Sequence, residues 1–259
     1  MQDYGLVSVI MPTYNCGRFI AETIRSVQAQ TYQKWEVIIV DDCSTDGTFA
    51  VVEPMMKVDK RIRYFSNVSN SGAAVSRNAA LRQAKGRWVA FLDSDDLWKP
   101  EKLEHQLRFM VENEYAFTYH EYDEMTEDGE DNGVRVSGIS KVGKFAMYSC
   151  CWPGCLSVMY DAQKIGLIQI RDIRKNNDTA MWLRVVQKAG CYLLKENLAR
   201  YRRRANSITP KPLWKRIWAH YPLFRVAEQM NPIAATFWTL MNVAWNAYKK
   251  LFFVKKEQL

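Results

Sequence analysis

Residues 6–40 read LVSVIMPTYNCGRFIAETIRSVQAQTYQKWEVIIV, and the order of patterns in this stretch decides the fold. Residues 6–11 are a short apolar run rich in β-branched side chains, ended by Pro12, and residues 35–40 are a second such run ended by two aspartates. Both read as buried strands. Between them Phe19, Ile20, Thr23, Ile24 and Val27 recur at helical spacing. Parallel strands need a crossover of this length, so the stretch is a strand–helix–strand unit. Working outward, a helix over residues 45–56 leads to a strand at 61–65. An Ala-rich helix over 73–85, stopped by Gly86, leads to a strand at 87–92. This alternation predicts an α/β fold with a mostly parallel central sheet and helices on both faces.

Beyond residue 97 the pattern loosens. Residues 100–112 read as a helix and 115–119 as a strand. Residues 120–133 hold seven acidic side chains around the turn Asp128-Gly129, the mark of a solvated hairpin. Residues 179–186 (TAMWLRVV) read as a helix, and the chain from Pro212 onward as two helical pieces. With 259 residues and 48% hydrophobic content the chain can bury one sizeable core. The expected division is a catalytic unit over 1–210 and a basic amphipathic helical tail over 211–259. Lys and Arg number 36 against 28 acidic residues, yet residues 200–259 alone carry 12 basic and 2 acidic side chains. The positive charge belongs to the tail. Six cysteines form no CxxC pair and no leader precedes them, which predicts reduced cytosolic thiols.

In an open α/β sheet, ligands bind at the carboxyl edge, so the residues directly after each strand carry the functional reading. Here they are Pro12-Thr13-Tyr14-Asn15, then Asp41-Asp42-Cys43-Ser44-Thr45-Asp46-Gly47-Thr48, then Asp93-Ser94-Asp95-Asp96. Five aspartates at strand ends repel one another unless a cation or hydrogen-bond donors meet them. An Asp-x-Asp after a buried strand can hold Mg²⁺ or Mn²⁺ through oxygen and leave positions open for a diphosphate. Turn and capping roles are the alternative use of such aspartates.

The motifs VSVIMPTYN, WEVIIVDDCSTDGT, NSGAAVSRNAAL and GRWVAFLDSDDLW, in this order and spacing, resemble the donor half of a family 2 glycosyltransferase with the GT-A fold. GCLSVMYD, IRKNNDTAMWLRVV and YRRRANSIT extend the resemblance toward bacterial enzymes that build teichuronic acid, capsule and O-antigen. The resemblance implies that Pro12 and Tyr14 border a uracil ring, on which Tyr14 stacks, and that Asp42 accepts the uracil N3–H. It implies that Asp95 is the metal-binding position of the DxD, with Asp93 beside it, and that Gly72 and Arg77 close over the nucleotide. It further implies that Asp178 is the catalytic base of an inverting transfer, that Asp172 is the fallback, and that Arg204 meets the diphosphate. Relatives typically carry an acid where Asn177 stands; that departure removes a negative charge and leaves the base in place. Asp178 also reads as a helix N-cap. Arg202 and Arg203 read equally as diphosphate partners or as a solvated loop, and Trp152, Gly154 and Cys155 as the border of an acceptor pocket. His105, His120 and His220 read as structural.

The expected activity is therefore transfer of one sugar from a UDP-sugar to a lipid-diphosphate-linked saccharide, at the inner face of the bacterial cytoplasmic membrane, with a divalent metal and no nucleic-acid partner. Three other classes stay open: a metal-dependent nucleotidyltransferase, though no basic Gly-rich loop follows the first strand; a nucleic-acid binder using the basic, Trp-bearing tail; and a non-catalytic sugar-nucleotide module. Residues 229–248 carry no charge, but Pro232, Asn231, Thr236, Thr239, Asn242 and Asn246 argue against a membrane span. Two apolar stripes, Leu213, Trp214, Ile217, Trp218 and Tyr221, then Ile233, Phe237, Leu240, Met241, Ala244, Trp245, Tyr248, Leu251 and Phe252, lie beside lysines. They suit an interfacial helix on anionic lipid, packing on the catalytic unit, or a homo-oligomer contact.

Overall fold

The computed structural model describes residues 2–204 and 213–256, without the side chains of residues 213–217. The first unit is β1 (Val7–Thr13), α1 (Ile20–Gln28) and β2 (Trp35–Asp41), followed by α2 (Thr48–Val58), β3 (Ile62–Ser66), α3 (Ala73–Gln83) and β4 (Trp88–Phe91). These four strands are all parallel, in the order β3-β2-β1-β4. Chain direction across the sheet reverses between β1 and β4, so the crevice above their carboxyl ends is the topological switch point. Alternation sorts the side chains. Val7, Val9 and Met11 face a core completed by Ile20, Ile24 and Val27 of α1, whereas Ile10 faces a second core with Ala80 and Leu81 of α3.

Pro12 does not end β1, as its missing N–H suggests, because the strand runs on to Thr13. The Ile10 carbonyl accepts from Leu92 N–H and the Thr13 carbonyl from Asp42 N–H. Even-numbered residues thus turn their peptide groups toward β4, and Pro12 meets that side beyond the last paired residue, so no ladder bond is lost. Gly86 likewise is not the stop of α3, which ends at Gln83. A Cβ at Gly86 would lie 2.6 Å from the Leu6 carbonyl oxygen, so glycine is required for the close approach of the chain to β1.

The second half is mixed. It comprises β5 (Leu97–Trp98), α4 (Lys102–Glu112), β6 (Phe117–Met125), β7 (Asp131–Val136), β8 (Lys141–Val142), α5 (Lys144–Ser149), β9 (Met159–Asp161), α6 (Ala162–Ile165), α7 (Asn177–Val185) and β10 (Cys191–Arg202). β9 is antiparallel to both β4 and β6, and β10 runs parallel to β6. The acidic segment is a β6–β7 hairpin, and it is only partly solvated: Asp123 pairs with Arg135 and Lys99, and Glu124, 6% exposed, with Arg203. All six cysteines are free.

The C-terminal stretch is α8 (Leu213–Pro222), a π-helical turn (Leu223–Ala227), α9 (Pro232–Phe252) and β11 (Val254–Lys256). Leu223, Phe224 and Ala227 are buried in the core on the α3 face, and β11 adds an antiparallel strand to β7 at the sheet edge. No helix among the described residues is long and apolar enough to cross a membrane. Of the first tail stripe, Trp218 is 70% exposed, while the side chains of Leu213, Trp214 and Ile217 lie outside the described residues, as do Lys211 and residues 205–210.

Candidate active site

Two strand ends face the crevice, and their carboxylates are treated differently. After β2, Asp41 accepts from Tyr64 Oη at 2.7 Å and from Ser44 Oγ. Asp42, 4% exposed, accepts from Asn67 Nδ2 at 2.8 Å and Ser71 N–H at 2.8 Å through Oδ1, and from Gly72 N–H at 2.7 Å through Oδ2. Three donors occupy three of its roughly four acceptor directions, leaving one on Oδ2. Gly72 adopts φ 90° as the N-cap of α3, which aims its N–H at that carboxylate. Beside them Tyr14 is 49% exposed at the end of β1. Asn15 supports this turn in the left-handed region, at φ 48°, its N–H donating to Ser44 Oγ at 2.8 Å and its Oδ1 accepting from Thr45 N–H. Pro12 lies buried within β1 beneath this turn.

After β4 the carboxylates meet guanidinium groups. Asp93 pairs with Arg77 at 2.5 Å and Asp95 with Arg204 at 3.1 Å. Burial, then the neighbouring Asp93 charge, raises the Asp95 carboxyl above its usual range, with Arg204 acting in the opposite sense. Asp96, 1% exposed, is pushed up further by burial and by both neighbouring aspartates, and its Oδ2 has no partner. Among the described residues no three His, Cys, Asp or Glu side chains converge as a metal cage. One or two carboxylates with an under-satisfied charge are nonetheless what a Mg²⁺- or Mn²⁺-type site needs when phosphate oxygens complete the shell, so Asp95 and Asp93 fit such an ion.

Arg77 and Gly72 both belong to the α3 segment, Gly72 as its N-cap. Arg77 is 6% exposed and reaches across to Asp93 and to Asn177 Oδ1. Asn177 opens α7, so one side chain ties the end of β4 to the start of the helix that carries Asp178. Burial would depress the Arg77 cation, but the paired Asp93 carboxylate, with Asp178 acting in the same sense, holds it firmly protonated. Asp178 is half-buried and accepts from Thr179 N–H at 2.7 Å. It is not the N-cap: Asn176, at φ 55°, holds that position, and α7 starts two residues earlier than the apolar pattern suggests. A carboxylate in the first turn is favoured by the helix dipole. Asp172 is exposed, on the loop before this helix.

Arg202 is no solvated loop residue. Its side chain, 2% exposed, donates to the Asp95 carbonyl at 2.8 Å, the Glu127 carbonyl at 2.8 Å and Glu22 at 2.6 Å, while its N–H meets Asp96 Oδ1. It fixes the DxD loop to α1 and to the acidic hairpin. Arg203 pairs with Glu124. Arg204, by contrast, is a third exposed and lies over the Phe19 ring at 5.1 Å. Trp152 is 3% exposed and packs edge-on against Phe253, so its indole face is not open to a sugar; Cys155 is 9% exposed. A Cβ at Gly154 would lie 2.6 Å from the Tyr122 ring. His105 pairs with Glu196, and His120 is buried, its imidazole pushed down to about 3 by burial and by Lys102. Sequence reasoning missed Asn67, Tyr64 and the inward turn of Arg77. Only Asn67, five residues before Gly72 in a polar stretch, carried a usable signal.

Known proteins resemble this chain in sequence and in fold. Residues 8–148 match the family described as Glycosyl transferase family 2. A putative teichuronic acid biosynthesis glycosyltransferase of Bacillus subtilis (strain 168) is 42% identical over 246 residues, 95% of this chain and 97% of that protein. A UDP-Glc:alpha-D-GlcNAc-diphosphoundecaprenol beta-1,3-glucosyltransferase of Escherichia coli is 38% identical over 197 residues, 72% of each chain. Among solved structures, S. aureus TarS 1-349 in complex with UDP-GlcNAc superimposes with a TM-score of 0.69 at 20% identity, covering 95% of this chain and 73% of that one. A mannosyltransferase from Pyrobaculum calidifontis in complex with GDP-Man and Mn²⁺ gives 0.64 at 18% identity, covering 96% and 70%. The structures establish the GT-A fold; with the family match and the long alignment at 42% identity, the chain belongs to the family 2 glycosyltransferases.

Proposed function

We propose that this glycosyltransferase moves one sugar from a UDP-sugar, with inversion, to a lipid-diphosphate-linked saccharide during bacterial surface polysaccharide synthesis, at the inner face of the cytoplasmic membrane. The observation that carries the reading is the Arg77 guanidinium, which joins Asp93 at the end of β4 to Asn177, the residue before Asp178, next to the Asp95–Arg204 pair. The names of the B. subtilis and E. coli relatives support the acceptor and donor classes. Residues 1–210 would hold the chemistry, and the C-terminal helices would meet the membrane surface.

In this reading Tyr14 stacks on the base, and the remaining acceptor direction of Asp42 Oδ2 takes an imide N–H. Asp178 accepts the proton of the acceptor hydroxyl as its oxygen attacks the anomeric carbon from the face opposite the diphosphate. The diphosphate leaves with the bonding electron pair, and Arg204 offsets its charge. A divalent metal at Asp95 and Asp93 would add charge neutralisation worth several kcal/mol. Arg77 positions Asp178 relative to the donor through Asn177.

The test is turnover of a UDP-sugar with a lipid-diphosphate-linked acceptor, with and without chelator, with the product anomer assigned by NMR. A product of inverted configuration whose formation stops with chelator is expected. Retained configuration, or turnover indifferent to chelator, would refute the mechanism.

A further inference from the structure

Helix α9 is apolar on its outer face as well as its inner one. Its buried positions are Ala235, Thr239 and Asn242, at 0 to 2% exposure, and the polar ones are satisfied there: Asn242 Nδ2 donates to the Tyr148 carbonyl at 3.1 Å and Thr239 Oγ1 to the Ala235 carbonyl. Lys249 also turns inward, its Nζ donating to the carbonyls of Cys151 at 2.9 Å and Trp152 at 2.7 Å. The apolar stripe is on the outside. Ile233 is 84% exposed, Phe237 53%, Leu240 54%, Leu251 77% and Phe252 60%. The helix is thus anchored by Ala235, Trp238 and Trp245 together with amides and a lysine, while its exposed leucines and phenylalanines forgo the burial that favours an apolar side chain unless something covers them.

We propose that this outward face of α9 rests in the interfacial layer of an anionic bilayer and orients the active site toward it. The inference rests on the lipid-linked acceptor reading for its purpose, but not for its evidence. Charge selects the occupant. Lys250, Lys255 and Lys256 are exposed at the C-terminal end of the stripe, and residues 229–256 contain no acidic side chain. A second copy docking through the same face would offer these lysines no acidic side chain from its own residues 229–256, whereas anionic headgroups complement them. The helix lies flat, since Asn242 and Lys249 hold one face to the protein along its length. Helix α8, which packs on α9, contributes Trp218, 70% exposed, next to Ala219, whose carbonyl accepts from Asn176 at 2.8 Å. Asn176 occupies the N-cap position of the helix that carries Asp178, so α8 is tied to the start of that helix.

Flotation of the full chain with phosphatidylcholine vesicles, with and without phosphatidylglycerol, tests this. Wild type should float with the anionic vesicles. Phe237→Glu with Leu240→Glu should reduce partitioning about tenfold or more, and Lys255→Glu roughly fivefold. UDP affinity by calorimetry should stay unchanged in both variants, which shows that they are folded. Absence of wild-type flotation, variants that float equally well, or a dimer in sedimentation that the Phe237→Glu, Leu240→Glu pair dissolves would each overturn the proposal. Flotation without use of a lipid-linked acceptor would keep the docking face and sink the acceptor reading; use of that acceptor in detergent without flotation would do the reverse.

Discussion

The end of β2 and the end of β4 present aspartates to the same crevice under opposite conditions. At β2, Asp41 and Asp42 are held by hydroxyl, amide and backbone donors fixed by the fold, with one acceptor direction of Asp42 left over. At β4, Asp93 and Asp95 are held by two guanidiniums, Asp95 and Asp96 are pushed up by burial and mutual repulsion, and one oxygen of Asp96 has no partner. The first is a recognition surface fixed in place before any ligand arrives. The second is a charge problem that a cation with a diphosphate would resolve, and the proposed base is wired to it through Arg77 and Asn177. Binding and chemistry are thus expected to separate along the sheet.

The largest effect should come from cutting the chemistry off the β4 side. Asp178→Asn keeps the size of the side chain but cannot take a proton, so kcat should fall by about 10² to 10⁴ with UDP affinity near normal. A variant retaining more than about a tenth of wild-type kcat, outside that general-base range, would move the base elsewhere, with Asp172 next. Arg77→Lys comes second. It keeps a positive charge beside Asp93 but loses the fork that also reaches Asn177, and misplacing a catalytic group by about 1 Å can cost about 10². Steady-state kinetics should show kcat falling by up to that factor with a smaller change in donor KM; the reverse split would make Arg77 a donor-binding residue instead.

Stability separates the two ends without any substrate. Asp42→Asn sets an amide NH₂ against Asn67 and Ser71 N–H or against Gly72 N–H, and leaving such groups unsatisfied costs about 1–3 kcal/mol, readable as a lowered Tm. Asp95→Asn should behave oppositely. A carboxylate whose folded pKa lies above its unfolded value loses stabilising power as pH rises through that window, so at neutral pH the ionised Asp95 is a cost. The Asn variant should melt no lower than wild type in chelator, with the difference closing below about pH 4. If Asp42→Asn and Asp95→Asn lower Tm alike, the contrast drawn between the two strand ends is wrong.

The nucleotide half was legible because its signals are local. Each strand there is a short apolar run and each helix repeats at 3.6, so residues 6–92 could be read in order, apart from the exact ends at Pro12 and Gly86. Strand β10 was not legible. It is twelve residues long, but its register shifts between Leu194 and Asn197 and again between Asn197 and Arg200, and these irregularities break the period-two pattern a strand would show. Arg202 was misjudged for the same reason, since nothing in YRRR says that one guanidinium is buried between a helix and two loops. On α9 the stripe was readable and its direction was not: periodicity fixes which residues share a face, while long-range bonds such as that from Asn242 to Tyr148 decide which face turns in. The resemblance supplied residue types for the site, but the connection through Asn177 exists only in three dimensions.

The smallest expected effect is also the finest probe of the β2 end. Asn67 donates to Asp42 at 2.8 Å and to Ser76 Oγ at 2.9 Å, so it braces the carboxylate against α3 while the backbone N–H groups of Ser71 and Gly72 hold it from the loop. Asn67→Ala removes one donor of three and leaves the carboxylate bonded to the other two. Such a bond contributes about 0.5–1.5 kcal/mol net, so UDP affinity should weaken by roughly 2- to 12-fold. The decisive readout is what does not change. Because the loss is confined to the β2 end, the ratio of UDP affinities with and without Mn²⁺ should equal that of wild type, whereas Asp95→Asn should collapse it. An Asn67→Ala variant whose metal enhancement falls along with its affinity would show that the two strand ends act as one coupled site.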